Sequence, residues 1–372
     1  MSTYDIRGNQ IGDFYGKYRS LQVGRLATSR PYWVLHLDCG RKYFSVTNIK
    51  SIIDSMYTNG LNQLQLHFSE DRGFRFALND MTVIDSDGDS YNLTSCVSTD
   101  LGGYLTESDM DEIIIYARSK NIDIIPDIDM PGHMSAILTQ FPLFRYNTNY
   151  AWTLDFTNDK AVKFALAIVE KYANYFQSRG CKYWNIGADE VGYSNTGKGR
   201  WTYLKTEDIP KCVEFVNTIA RYVSNIGMIP RAYNDGVLYD SNYDCLFDKN
   251  IEIYYWTNPN LMGELDRMQE ADILVSNGYR LINTSGGWYV IIPRDNSSSG
   301  NSGLERNTLL RNFYDGTNMT YDQDGACLCV WCDSDITADG GNAAMPGILA
   351  NINSFGSGIQ LTLANLSYPI IN

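Results

Sequence analysis

The chain has 372 residues, 44% of them hydrophobic, and its 43 acidic against 30 basic side chains give a formal net charge of −13. That balance argues against nucleic acid as a partner, because binding phosphate needs a cationic surface. No apolar run approaches the roughly 18 residues of a membrane-spanning helix, so membrane insertion is not expected.

The start, Met1-Ser2-Thr3-Tyr4-Asp5, has no basic opening and no apolar core and does not read as a signal peptide. A cytoplasmic protein and a module of a longer secreted chain both fit that start. The eight cysteines lack framework spacing. Cys327-x-Cys329-x-x-Cys332 admits a metal reading, but no histidine or second cysteine pair lies near it in sequence, so reduced, buried thiols are the expectation.

In chain order, Trp33 to Asp38 is a continuous apolar strand, after which Ser45 caps a helix carrying Ile49, Ile52, Ile53 and Met56 at helical spacing. Leu61 to Phe68 is the second strand. Thr106-Glu107-Ser108-Asp109 has the capping-box pattern and opens a helix with Ile113, Ile114 and Ala117 inward. Ile122 to Asp129 is the third strand, followed by a helix over about 160–179, and Tyr183 to Ile186 is the fourth, followed by a helix over 208–226. Arg231 to Asp235, Ile251 to Trp256, Tyr279 to Asn283 and Ala326 to Trp331 complete the set, with helices over about 265–276 and 343–355.

Eight near-continuous apolar strands, each followed by a helix or long loop, predict a single (β/α)8 TIM barrel of the α/β class. The whole chain, 1–372, reads as one domain with residues 1–32 as a short lead-in. Asp71 to Gly103 is the main insertion, in which Phe74-Arg75-Phe76 and Met81 to Ile84 are expected to pair as a hairpin, with Asp87-Gly88 as a turn beyond them. Pro293 to Gly303 reads as a second, Ser-, Asn- and Gly-rich loop.

Active-site groups in a barrel belong at the C-terminal ends of the strands. Each strand places a polar or aromatic group there: Asp38 and Arg41, His67 and Glu70, Asp129 and His133, Asp189 and Glu190, Asn234 and Asp235, Trp256, Trp288 and Tyr289, and Trp331 with Asp333. The adjacent Asp189 and Glu190 follow Gly187 at the end of a buried strand. Two carboxyl groups driven to different pKa values are a means of cleaving a glycosidic bond.

Together, His36-Leu37-Asp38-Cys39-Gly40-Arg41-Lys42-Tyr43-Phe44-Ser45, Ile128-Asp129-Met130-Pro131-Gly132-His133, Gly187-Ala188-Asp189-Glu190 and Asn283 to Tyr289 resemble glycoside hydrolase family 20, the β-N-acetylhexosaminidases. The resemblance runs from about Leu35 to Trp331 and is strongest to bacterial single-barrel members. It implies a retaining enzyme that removes terminal β-linked N-acetylglucosamine, with N-acetylgalactosamine as a further candidate, using the substrate's own acetamide as nucleophile. No cofactor and no metal are implied; the partner is a glycan ending in N-acetylhexosamine, and the setting is extracellular or at the cell surface.

By the same resemblance, Glu190 is the general acid/base and Asp189 holds the acetamide N–H and the developing oxazolinium charge. Tyr289 donates to the acetamide oxygen, and His133 pairs with Glu190. Arg41 grips two sugar hydroxyls, with Asp38, Asp129, Glu70, Tyr233, Asp235 and Asp333 around the sugar and Trp256, Trp288 and Trp331 as walls.

Four positions depart from the family's pattern. Glu70 stands where many relatives have the aspartate of a relay with the histidine. Tyr233 stands near a common tryptophan, Asp333 replaces a common glutamate, and Ile291 replaces a common aspartate. Plainer readings stay open: capping of a loop for His133, a structural ion pair with Asp38 for Arg41, core packing for any single tryptophan, and a structural strand-end role for His67. Lacto-N-biose release and attack on poly-N-acetylglucosamine are alternatives within the family. The rival classes are a zinc barrel collecting His36, His67, His133 and Asp189, and an inactive sugar-binding barrel.

Overall fold

The computed structural model describes residues 31–147, 150–191, 206–234, 247–256, 271–284, 289–291, 324–333 and 337–366. Eight parallel strands close on themselves: β1 (Tyr32–Asp38), β2 (Gln63–Glu70), β3 (Asp123–Ile128), β4 (Tyr183–Asn185), β5 (Ile229–Tyr233), β6 (Glu252–Tyr255), β7 (Leu281–Asn283) and β8 (Gly325–Trp331). Each pairs with the next, and β8 pairs back onto β1 through Tyr32↔Gly325 to Leu37↔Val330. This is the (β/α)8 barrel expected from the strand pattern.

Among the described residues the helices longer than one turn are α1 (Val46–Thr58), α2 (Glu107–Ser119), α3 (Asp159–Ser178), α4 (Ile209–Asn225), α5 (Ala271–Ser276) and α6 (Met345–Leu366). Ser45 caps α1 by accepting from the Asn48 amide at 3.3 Å, and its inward stripe Ile49, Ile52, Ile53 and Met56 is wholly buried. Truncating one such residue to alanine is worth about 2–5 kcal/mol. The capping box of α2 closes with Thr106 and Asp109 each donating a backbone amide to the other's side chain, at 2.9 and 3.2 Å. Helix α6 runs further than the sequence pattern suggested, to Leu366. Among the described residues no helix is long and apolar enough to cross a membrane.

Alternation within the strands divides two interiors. Trp33, Leu35 and Leu37 of β1 face the helices, whereas Val34, His36 and Asp38 face the barrel axis. The axial core is polar and aromatic. Arg231 lies wholly buried there, with Nε donating to Glu252 Oε2 at 2.8 Å and Nη1 to Gln63 Oε1 at 2.8 Å, over the Tyr183 ring. Above it, the strand register sets Asp38, His67, Asp127 and Asn185 side by side on β1 to β4.

The insertion folds differently from expectation. Gly73–Phe74 extends β2 by turning back antiparallel on it, and Phe76–Ala77 pairs parallel with Leu105–Thr106. The hairpin is Thr82–Ile84 with Ser90–Asn92, closed around Asp87-Gly88. Residues 74–76 therefore do not pair with 81–84. Arg75 separates the two short strands because its buried guanidinium gathers the carbonyls of Gly40, Ser98, Asp100 and Gly103. The seven described cysteines are all buried and free, Cys327 Sγ and Cys329 Sγ lying 3.7 Å apart in the axial core; Cys245 lies outside the described residues. The loop at 293–303 also lies outside them.

Candidate active site

The C-terminal ends of the strands gather the site. Inward parity along β2 places Gln63, Gln65 and His67 on the axis, and a bulge between His67 and Ser69 resets that parity. The extra residue turns Glu70 inward at the rim, as bulges beside active sites commonly re-aim a side chain. Ser69 Oγ then accepts from the Asp129 amide at 2.9 Å, tying the ends of β2 and β3 together.

Glu70 is wholly buried and central. Its Oε1 meets Arg41 Nη2 at 2.5 Å and its Oε2 lies 3.1 Å from His133 Nδ1, while the Asp71 amide donates to Oε2 at 2.7 Å. His133 Nε2 stands 3.4 Å from Glu190 Oε2, so one imidazole joins two carboxyl groups. Burial by itself would raise the Glu70 pKa, but the charges of His133 and Arg41 hold it well below the usual carboxylate range. Burial would lower that of His133, yet Glu70, Glu190 and Asp189 raise it well above the usual histidine value. The relay forms despite the glutamate that replaces the family's aspartate.

Asp189 and Glu190 sit on a tight turn that requires glycine at position 187. Gly187 has φ +79°, and a Cβ there would lie 2.0 Å from Asp129 Oδ1. Ala188, Glu190 and His133 also carry positive φ, at 64°, 48° and 50°. Such strain outside glycine clusters at functional sites. Asp129 Oδ1 accepts from the Ala188 amide at 3.0 Å, fixing the turn from beneath. Burial first, then the charge of Asp189, drives the Asp129 pKa well up, and burial raises that of Asp189 as well. Asp189 Oδ1 is buried and makes no hydrogen bond among the described residues.

Arg41 is held in place and still partly open, with 17% of its side chain exposed. Asp38 accepts its backbone amide at 2.9 Å and Nη1 at 3.0 Å, and Asp333 Oδ1 stands 3.5 Å from Nη1. The ion pair with Asp38 is thus present, and it is what aims the fork. Trp331 lies against the guanidinium, 5.4 Å from ring centroid to Cζ, and Trp256 is half-buried above the axial core, its amide donating to Asn234 Oδ1.

Four residues expected around the sugar take a deeper place. Asp38, Glu70 and Asp129 are buried beneath the groups they hold: Arg41, His133 and Asp189. Tyr233 lies in the axial core against Tyr254 and accepts from Gln65 Nε2 at 3.3 Å, under the pocket rather than on its wall. Asp333 is the exposed acid at the rim. Tyr289 opens a short strand, Tyr289–Ile291, that pairs with β8 through Tyr289↔Cys329, a pairing the sequence pattern did not indicate. Asp235 and Trp288 lie outside the described residues.

The sequence reading left Asp127 without a part in the site and gave His36 one only as a ligand of the rival zinc barrel. Asp127 Oδ2 lies 2.8 Å from His67 Nδ1, and the His36 ring packs 4.2 Å between centroids from that of Trp331, tilted by 45°. The available signal was polar alternation inside apolar strands: His36 with Asp38, Gln65 with His67, Asp127 with Asp129. Three sets of metal-capable atoms fall within 4.8 Å: His36, His67 and Asp127; Glu70, Asp71 and His133; Asp129, His133 and Asp189. They divide the four ligands of a zinc barrel among them. Hydrogen bonds or ion pairs engage His67, Asp127, Glu70 and His133 in these sets, beside the cation of Arg41, whereas both ring nitrogens of His36 and one oxygen each of Asp127, Asp129 and Asp189 make no hydrogen bond among the described residues. At the other end of the barrel, a 670 Å³ cavity is lined by Tyr32, Gln63, Asp123 and Lys182, whose two charges pair at 2.9 Å.

The family model for the glycosyl hydrolase family 20 catalytic domain matches residues 31–328. The chain belongs to glycosyl hydrolase family 20. Among curated family 20 relatives, a lacto-N-biosidase of Bifidobacterium bifidum is 29% identical over 62% of this chain and 21% of its own. A β-hexosaminidase of Vibrio furnissii is 26% identical over 43% of this chain and 29% of its own. The chain thus spans less than a third of the length of these relatives. Two pneumococcal StrH structures, one titled for tandem catalytic modules of an exo-β-D-N-acetylglucosaminidase, superpose with TM-scores of 0.76 at 27% and 26% identity. They cover 88% and 91% of this chain and 82% and 88% of their own. The structure of Dispersin B shares the fold at 21% identity, with a TM-score of 0.69 over 88% of this chain and 99% of its own.

Proposed function

We propose that this family 20 barrel hydrolyses terminal, non-reducing β-linked N-acetylglucosamine from glycans, with retention and with the substrate's acetamide as nucleophile. The observation that carries the reading is the pairing of unlike carboxyl groups on one strained turn. Asp189 presents a buried oxygen that makes no hydrogen bond among the described residues, beside Asp129, whose pKa burial and the charge of Asp189 push well up. Next to it, Glu190 is half-exposed and in reach of His133.

The division of labour follows from that geometry. Asp189 accepts the acetamide N–H and opposes the positive charge that grows as the acetamide oxygen attacks C1, an interaction stronger in the transition state than in the bound sugar. Glu190 delivers a proton to the departing oxygen and then takes one from water, with His133 adjusting its proton affinity between the two steps. Arg41 holds two ring hydroxyls with its fork, and Trp331 and Trp256 offer apolar faces to the sugar and the acetamide methyl. Tyr289 supplies the hydroxyl that fixes the acetamide oxygen.

The test is turnover of an aryl β-N-acetylglucosaminide beside the matching aryl β-glucoside. Hydrolysis of the first alone is expected; equal hydrolysis of both would remove the acetamide from the mechanism. The aryl β-N-acetylgalactosaminide tests tolerance at C4, where Asp333 is the nearest acid on the rim. The similarity to a lacto-N-biosidase makes an aryl lacto-N-bioside the next substrate, and its turnover in place of the monosaccharide would move the reading to disaccharide release.

A further inference from the structure

We propose that His67, clamped by Asp127, is a positioning residue that acts through Glu70 on both the proton donor Glu190 and the sugar grip of Arg41. The inference rests on the functional reading above and extends it two residues deeper into the barrel.

The geometry argues for it directly. His67 is wholly buried, and both of its ring nitrogens face carboxyl groups: Nδ1 lies 2.8 Å from Asp127 Oδ2 and Nε2 lies 3.6 Å from Glu70 Oε1. A neutral imidazole carries one N–H, so one of those contacts would set two lone pairs against each other. An imidazolium serves both, as a hydrogen bond to Asp127 and an ion pair with Glu70. The result is an alternating line of acid and base, Asp127–His67–Glu70–His133–Glu190, in which each histidine stands between two carboxyl groups.

The surroundings agree. The groups facing His67 are Asp127 on β3, Glu70 on β2, Asp38 on β1 in register with it, and His36, 5.3 Å away between ring centroids. Burial opposes charging His67, but the carboxylates outweigh it and raise its pKa. The pKa of His36 is pushed the other way, first by burial and then by the charge of His67, and its ring packs tilted against those of His67 and Trp331. Glu70 can place one oxygen on His133 and the other on Arg41 only while its carboxyl plane is fixed. His67, three residues back across the β2 bulge, approaches the oxygen that Arg41 shares.

The experiment is a double-mutant cycle of His67→Gln and Glu70→Gln, read on two β-N-acetylglucosaminides with poor and good leaving groups. Glutamine keeps a donor near the Nε2 position but carries no charge. For the poor leaving group, His67→Gln is expected to lower kcat about tenfold, a part of the 10²–10⁴ that general acid catalysis supplies. For the good leaving group kcat should change by about twofold or less, because little proton donation is needed. In the Glu70→Gln background His67→Gln should add nothing, since its effect passes through Glu70. Equal losses of kcat on both substrates, or losses that multiply in the double variant, would overturn the proposal, whereas the effect through Arg41 is expected as a rise in KM shared by both.

An arm independent of turnover separates this inference from the functional reading. The chain has three histidines, so imidazole nitrogens can be assigned by ¹⁵N NMR. At pH 7 both nitrogens of His67 should carry protons and His36 should be neutral. A singly protonated His67 would overturn the proposal even in an active enzyme, and an enzyme inactive on both sugars with His67 doubly protonated would overturn the functional reading alone.

Discussion

Glu70 Oε2 and His133 Nδ1 stand 3.1 Å apart although one residue closes β2 and the other follows β3 on a loop with positive φ. A bulge in one strand and a strained turn after the next are both needed to bring them together. That contact joins Arg41, the proposed sugar grip, to Glu190, the proposed proton donor, so its pH dependence reports on both.

The two partners set opposite limits. Glu70 has a folded pKa below its unfolded value of about 4.3, so its contribution is complete above that pH and is lost as pH falls through the folded value. His133 has a folded pKa above its unfolded value of about 6.5, so its contribution is complete below that pH and is lost as pH rises through the folded value. The Tm difference between wild type and Glu70→Gln is therefore expected to be largest between about pH 4.3 and 6.5. A difference independent of pH in thermal melts would contradict the pairing.

Gly187→Ala is expected to destabilise the protein by more than about 2 kcal/mol, because it adds a Cβ at positive φ against the Asp129 carboxyl. Denaturant unfolding gives that value directly. Variants that stay folded should lose turnover, since relief of the clash moves Asp189 and Glu190.

Asp129→Asn and Asp129→Leu separate shape from hydrogen bonding. Asparagine keeps an acceptor for the Ala188 amide and offers Asp189 a neutral donor, the state toward which the raised pKa of Asp129 points. Its Tm is expected within a few degrees of wild type, whereas leucine strands the Ala188 amide and should cost about 1–3 kcal/mol. Equal stability for both variants would argue against the shared proton.

Arg41→Lys tests the fork. A lysine cannot meet Asp38, Glu70 and two sugar hydroxyls at once, so kcat/KM is expected to fall about a hundredfold, chiefly through KM. Steady-state kinetics on the aryl substrate decides it, and a fall confined to kcat would place Arg41 in the chemistry rather than in binding.

Much of this was legible in the amino-acid order. The eight apolar strands and their capped helices marked the barrel, because hydrophobic period and capping chemistry are local. The paired acids after Gly187 and the Pro-Gly-His run marked the site for the same reason. What could not be read was depth. Asp38, Glu70, Asp129 and Tyr233 are polar residues at strand ends like Arg41 and Glu190, and only register and the β2 bulge decide which lie beneath the surface. The part of Asp127 was hidden because its partner, His67, is sixty positions away on the neighbouring strand. The insertion misled because the backbone of residues 74–76 pairs with Phe68, Ser98 and Leu105, partners that lie outside the 81–84 run.

The central claim is that the acetamide of the substrate performs the attack while Asp189 and Glu190 serve it. The most direct measurement is kcat/KM for aryl glucosaminides carrying N-acetyl, N-fluoroacetyl, N-difluoroacetyl and N-trifluoroacetyl groups. Each fluorine weakens the carbonyl oxygen as a nucleophile, so the account expects a monotonic fall of several orders of magnitude across the series. A flat series with all four substrates hydrolysed would contradict it and require a nucleophile from the protein.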